Sequence, residues 1–294
     1  MKDIAEFSEI EVQLHMALDA LSNGESIEVN DEWIEQAGEE FKAAIRKQMD
    51  NSKRAFGLRM SNIGKPLCIL QLEHQGVEPT QRRSYNHIVR MLIGDAVESI
   101  MRLAIKAAKL NITAEAEAVK LTVGDTVIPG TDDIEIDGAI WDVKSCSPYA
   151  FLHKWQEGWE GLYHHDSFGY VSQLFGYAKA RNKPMGGWFV VDKSSGEVKV
   201  VAATPTPIES AEIEQSMSNT ECVIRTNAPF EKLFSVEMET FKKVETGNQL
   251  VPMVCTFCDF LHHCWPEAVQ RPQVMSKAQD RKVVWYASEP KVPL

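Results

Sequence analysis

Residues 130–145 read GTDDIEIDGAIWDVKS, and the way this stretch folds decides how the rest of the chain is read. Asp137-Gly138 is a strong hairpin signal, because a type I′ turn needs two residues that tolerate positive φ. With that turn, Ile136 faces Ala139, Glu135 faces Ile140, Ile134 faces Trp141, and Asp133 lies opposite Asp142. Strand alternation then puts Ile134, Ile136, Ala139, Trp141 and Val143 on a core face. Asp133, Glu135, Asp142 and Lys144 fall on the other face.

Two carboxylates placed directly across a strand pair repel one another and cost stability. A divalent cation between them removes the repulsion, and hard oxygen ligands suit magnesium or manganese. Lys144 shares the face of Asp142, where it can orient or deprotonate a water and offset charge at an attacked phosphate. A solvated hairpin face with a chance acid pair is the plain alternative for the motif taken alone.

Working outward, RRSYNHIVRMLIGDAVESIMRLAIKAAKL upstream predicts a long helix, with Val89, Ile93, Val97, Ile100, Ala104 and Ala108 as its apolar stripe. Gly94 and Glu98 share a face of it, and the glycine permits close approach to a sheet or a DNA backbone. Downstream, a Trp-rich connection leads to a helix around Ser167 to Ala180, on which Tyr170, Gln173 and Tyr177 share one face. GGWFVVDKSSGEVKVVAAT predicts a second hairpin. Residues 1–50 read as acidic and helical, with a cap at Asn30-Asp31. Residues 61–81 read as a loop, Ala118 to Val123 as a strand, and Glu209 to about Gly247 as acidic helix.

The chain has 294 residues and a net charge of −11, which argues against a sequence-independent DNA coat. It does not exclude an enzyme that cuts DNA, since an acidic site holding divalent ions reverses its local sign. A DNA path then requires a local basic strip, with Lys53, Arg54, Arg59, Lys65, Arg82, Arg83 and Arg90 as candidates. The N-terminus, MKDIAEFSEI, has acids where a signal peptide would carry lysines, and no apolar run approaches a membrane span. A cytoplasmic location and no membrane partner are expected.

Taken together, Glu98, Asp133, Asp142-Val143-Lys144 and Gln173-x-x-x-Tyr177 resemble, in this order, the core of the PD-(D/E)XK nucleases. More narrowly they resemble the RecB-like branch, with its G-x-x-x-(H/E), G-x-x-D, D-x-K and Q-x-x-x-Y motifs. Glu98 stands where many relatives have His. Gly130-Thr-Asp-Asp133 is the second motif, and the hairpin register independently selects Asp133 over Asp132. The resemblance implies an α/β, restriction-endonuclease-like mixed sheet flanked by helices. It also implies metal-dependent hydrolysis of DNA phosphodiesters, most simply by an exonuclease acting on DNA ends or single strands in recombination, repair or phage DNA processing. In that family's terms Glu98, Asp133, Asp142 and the Val143 carbonyl bind Mg or Mn, Lys144 prepares the water, and Gln173 and Tyr177 position water or phosphate.

Of six cysteines, three sit in Cys255-x-x-Cys258-x-x-x-x-x-Cys264, a spacing that reads as metal binding in a reducing compartment. A fourth ligand is required. The resemblance extends to iron–sulfur RecB-like nucleases, including CRISPR-associated and phage-encoded members, whose isolated N-terminal cysteine is matched by Cys68. It implies a [4Fe-4S] cluster on Cys68, Cys255, Cys258 and Cys264. Zinc, with His262 or His263 replacing a thiolate, is the competing reading. Cys146 and Cys222 read as packing cysteines, and Trp155 and Trp159 as core or lid residues rather than base stackers.

The expected organisation is a helical N-terminal region over 1–81 supplying one cluster cysteine, a nuclease core over 82–205, and a helical C-terminal region over 206–294. DNA is the expected partner, in the cytoplasm of a bacterium or a phage-infected host. A homo-oligomer and a recombination or CRISPR-adaptation protein partner are compatible with the resemblance. The rivals are a noncatalytic DNA-end-binding protein that keeps the fold and a structural metalloprotein.

Overall fold

A computed structural model describes residues 4–50, 55–81 and 85–291. In chain order it forms helices α1 (Ile4–Ser22), α2 (Asp31–Met49), α3 (Leu67–His74) and α4 (Tyr85–Ala107). Strands β1 (Ile112–Glu115), β2 (Ala118–Val123), β3 (Thr126–Thr131), β4 (Ile134–Ile136) and β5 (Ala139–Cys146) follow. A helical connection comprises α5 (Pro148–Ala150), a π-helical turn (Phe151–Trp155) and α6 (Gly158–His165). Then come α7 (Tyr170–Arg181), β6 (Met185–Asp192), β7 (Val198–Ala202) and α8 (Pro207–Arg225). The last elements are β8 (Glu237–Phe241), β9 (Val244–Leu250), α9 (Met253–Thr256), α10 (Leu261–Cys264), β10 (Val269–Pro272) and β11 (Val283–Tyr286). The chain is thus α/β, and among the described residues no helix is long and apolar enough to cross a membrane.

Two compact units result, one from residues 1–64 and 85–225, the other from 65–84 and 226–294. The larger is built on a mixed sheet ordered β1-β4-β5-β6-β7, in which only β5 and β6 run parallel. Asp137 (φ 51°) and Gly138 (φ 76°) make the turn, and β4 meets β5 with Ile134 opposite Trp141, Glu135 opposite Ile140 and Ile136 opposite Ala139. The apolar face of this hairpin buries Ile134, Ile136, Ala139, Trp141 and Val143 against Leu14, Met101, Ile105 and Phe189. Burial of this kind stabilises by roughly 1.5–3 kcal/mol for each large side chain. The cap on α2 forms as expected, with Trp33 N–H donating to Asn30 Oδ1 at 2.9 Å.

The polar face of the hairpin is covered rather than solvated. Glu135 is buried, accepts from Thr113 Oγ1 at 2.8 Å, and pairs with Arg181 at 2.8 Å and Lys183 at 3.2 Å. Arg181, at the end of α7, also pairs with buried Asp132 at 3.1 Å. Charges removed from water in this way survive only when paired.

Several expectations are corrected. Within 61–81 a helix, α3, forms over Leu67–His74. Of the expected α4 stripe, Val97 and Ala104, with Ala108 just past the helix end, pack on the core beside Met101 and Ile105, whereas Val89, Ile93 and Ile100 are exposed. Ile100 and Met101 both fit a 3.6-residue period from Val97, and the periodicity alone does not choose between them. The acidic helix from Glu209 ends at Arg225, followed by Asn227 in a left-handed conformation and then Pro229, both helix-stopping signals. Beyond it lies the β8–β9 hairpin, whose turn is Lys242-Lys243 with φ of 51° and 67°. Lysines there hide the turn from a search for Asn-Gly or Asp-Gly. The C-terminal region expected to be helical also contributes β10 and β11 to the sheet of the smaller unit, ordered β10-β11-β9-β8. The unit boundaries also differ from those expected, since α8 belongs to the larger unit and residues 65–84 to the smaller.

Candidate active site

Asp142 sits mid-strand in β5 and is 1% exposed. Lys144 Nζ pairs with its Oδ2, yet neither carboxylate oxygen accepts a well-directed hydrogen bond. Burial pushes the Asp142 carboxyl well above its ordinary range; Lys144 opposes that shift and Asp133 adds to it. Burial works against the Lys144 ammonium, but the Asp142 and Asp133 carboxylates outweigh it and raise its pKa. Lys144 Nζ also lies 5.3 Å from the centre of the Tyr170 ring and 3.4 Å from the Val143 carbonyl oxygen.

Asp133 precedes β4. Its Oδ2 accepts from Val143 N–H at 2.9 Å and its Oδ1 lies 3.5 Å from Arg102. Glu98, on α4, pairs with Arg102 at 2.8 Å across one helical turn. Burial and the nearby Asp133 raise the Glu98 carboxyl to about 7, against the pull of Arg102 and Lys144. Gly94, one turn earlier, is where a Cβ would stand 3.2 Å from Ser145 Oγ, so the missing side chain lets α4 approach β5.

Helix α7 brings the remaining expected residues. Gln173 Nε2 donates to the Tyr177 hydroxyl at 3.0 Å. Burial first, with Asp142 and Asp133 adding to it, holds the Tyr177 phenol above its usual range. Gly130 makes this possible: a Cβ there would lie 2.7 Å from Tyr177 Cε1 and 2.5 Å from Met60 Cγ. The structure therefore brings Glu98, Asp133, Asp142, Val143, Lys144, Gln173 and Tyr177 into one neighbourhood. Asp132 is turned away, accepting from Glu117 N–H at 2.9 Å and pairing with Arg181.

Arg102 was missed in the sequence. Its buried guanidinium touches Glu98, Asp133 and, at 3.6 Å, Glu40 of α2, and so neutralises the acids from within the protein. Its spacing of four residues from Glu98 was the available signal.

The cysteines gather in the smaller unit. Cys68, Cys255, Cys258 and Cys264 line one concave pocket together with Lys232 and Trp265. Burial first, then neighbouring thiols, raises Cys68 to about 11 and Cys258 to about 12. Lys232 lies 3.2 Å from the Trp265 ring centre and donates to the Cys264 carbonyl at 2.8 Å, placing a cation beside these thiols. His262 and His263 do not line the pocket; their rings contact Trp285 and Phe230. Among the described residues no group of three or more His, Cys, Asp or Glu side chains is set at metal-ligating geometry. The donors nonetheless fit the groups expected of them: oxygens around a buried carboxylate suit a hard divalent ion, and four thiols lining one pocket suit an iron–sulfur cluster.

Trp155 and Trp159 are 1% and 5% exposed and belong to the core. Of the proposed basic strip, Lys53, Arg54, Arg82 and Arg83 lie outside the described residues. Lys65 is 3.8 Å from Glu73, and Arg59 and Arg90 are exposed.

No family model matches the chain, and no curated protein matches it. A solved structure described as the crystal structure of SSO0001 is similar over 75% of this chain and 91% of its own, with 11% identity and a TM-score of 0.40. A likeness that weak carries no statement about activity.

Proposed function

We propose that this protein is a divalent-metal-dependent nuclease that hydrolyses DNA phosphodiesters. The observation that carries this reading is Asp142, a carboxylate withdrawn from water, paired with Lys144 and lying beside Asp133, which in turn neighbours Glu98. Holding acids together in a dry site costs stability, which a structural hairpin has no reason to bear. Glu98, Asp133, Asp142 and the Val143 carbonyl are the residues that would hold Mg or Mn. When bound, the ion would supply Lewis-acid polarisation at the phosphate and acidify a water.

The chain's own groups do the remainder. Lys144, held as an ammonium beside Asp142, donates a hydrogen bond to the attacking water or a phosphoryl oxygen, where negative charge develops. The hydrogen-bonded Gln173–Tyr177 pair orients water or phosphate from the α7 side. Water adds to phosphorus and gives up a proton to solvent, one ester P–O bond breaks, and the departing sugar oxygen takes up a proton in turn. The four-cysteine pocket is the proposed seat of a [4Fe-4S] cluster with a structural role in the smaller unit.

The test is cleavage of end-labelled single-stranded and duplex DNA by purified protein in manganese, magnesium or EDTA. Cleavage that requires the divalent ion and disappears in Asp142→Asn supports the reading. DNA-end binding without cleavage in any metal would overturn it in favour of a noncatalytic binder.

A further inference from the structure

The loop that enters α7 presents an aromatic ring that the site described above does not use. Phe168 is 56% exposed, yet it is not loosely held. The Asp166 carboxylate accepts three backbone N–H groups in succession, from Phe168 at 3.1 Å, Gly169 at 2.9 Å and Val171 at 2.8 Å. These bonds hold the backbone of the loop from which the ring projects. The inner face of Phe168 stacks on Tyr170, with centroids 5.5 Å apart and planes 18° from parallel. Tyr170 in turn stacks on the buried Trp155 at 5.7 Å and 24°. Lys144 Nζ stands 5.3 Å from the Tyr170 centroid, so Phe168 is two ring contacts from the candidate catalytic lysine. Lys154, on the π-helical turn, places its ammonium 5.3 Å from the Phe168 centroid and 5.2 Å from that of Tyr170.

Isolated exposed apolar side chains are ordinary. What distinguishes Phe168 is a backbone anchor at Asp166, a ring stack leading to the active-site lysine, and a flanking ammonium from the π-helical turn. A flat ring held still beside a site for phosphodiester chemistry is what a nucleobase stacks on. Within a duplex both faces of a base are occupied by its neighbours, so such a platform engages a base only where the strand is unstacked.

We infer that Phe168 is a stacking platform for an unstacked base next to the scissile phosphate. This rests on the nuclease reading. Because Phe168 is exposed and accepts no burden of the core, Phe168→Ala folds normally, which its thermal melt checks.

The experiment compares wild type, Phe168→Ala and Phe168→Trp on one oligonucleotide sequence, single-stranded and as a blunt duplex, in manganese. Phe168→Ala raises KM for the single strand by about tenfold while kcat stays within about twofold, and Phe168→Trp restores KM. In the background of Asp142→Asn, 2-aminopurine placed near the strand end is quenched on binding when Phe168 is present and not when it is Ala. Unchanged KM and unchanged quenching in Phe168→Ala, with the wild type cleaving DNA, overturn the platform and leave the nuclease intact. A wild type that neither cleaves nor binds DNA overturns both.

Discussion

Val143 N–H donates to Asp133 Oδ2 across the hairpin at 2.9 Å, which ties the carboxylate of one candidate ligand to the backbone between Asp142 and Lys144. The bond leaves the other oxygen of Asp133 toward Arg102 and makes the D-x-K strand and the G-x-x-D loop one rigid piece. Asp133→Asn is therefore expected to lower divalent-ion affinity and cleavage by at least about tenfold. Asp132→Asn breaks a buried pair with Arg181 instead, and is expected to lower stability by roughly 1–3 kcal/mol with cleavage retained. Isothermal titration with manganese and urea melts on both variants separate the two effects; equal losses of metal binding would place the ion elsewhere.

Asp142→Asn keeps the shape of the buried side chain while removing its charge. Cleavage is expected to fall by at least about a hundredfold, with an unchanged far-ultraviolet spectrum. Asp142→Ala is a poorer probe, because it also empties the buried space and removes the oxygen that Lys144 faces, which the amide of Asn retains. Turnover by Asp142→Asn at the wild-type rate, with contamination excluded, would falsify the site.

Arg102 neutralises Glu98 and Asp133 from inside the protein. In Arg102→Met the acids face one another without that counter-charge, so the metal-free protein is expected to melt lower. Manganese should then raise its melting temperature by more than it raises that of the wild type. The check is thermal melting in EDTA and in manganese; equal shifts in both proteins count against the arrangement.

Glu98 sets a pH dependence. Its carboxyl titrates at about 7 in the folded protein against 4.5 ordinarily, through burial and the neighbouring Asp133. The native state thus holds this proton more tightly than the unfolded chain does. The resulting contribution to stability is fully present below pH 4.5 and is lost as the pH rises through about 7. Urea melts of metal-free protein between pH 5 and 8 are expected to show this decline, roughly, as a falling midpoint, and Glu98→Gln is expected to flatten it.

Protein purified without oxygen is expected to be brown and to contain iron and sulfide in the smaller unit. Cys68→Ala should lose the colour and unfold more readily, because a cluster joining Cys68 to the C-terminal triplet closes a long loop, an effect on the order of 4 kcal/mol by analogy with disulfides. Metal analysis and melts decide it. A colourless protein with one zinc would show that the thiols hold the other metal.

Much of this was legible in sequence because it is local. Asp137-Gly138 fixes a turn, the turn fixes the register, and the register sorts side chains onto two faces by strand geometry alone. The pairing of Asp133 with Asp142 and the facing of Gln173 with Tyr177 follow from periods of two and of about three and a half residues. What only the tertiary structure decided is non-local. Which of two plausible stripes of α4 meets the sheet depends on what α1 and β5 offer opposite it, so Met101 and Ile105 are buried and Ile100 is not. The polar face of the hairpin is covered because α7 brings Arg181 against Asp132 and Glu135, while α4 brings buried Arg102 against Asp133, pairings between residues far apart in the chain. Turns made by lysines, as at Lys242-Lys243, carry no sequence signal, because the strain of positive φ is met by the strands they join.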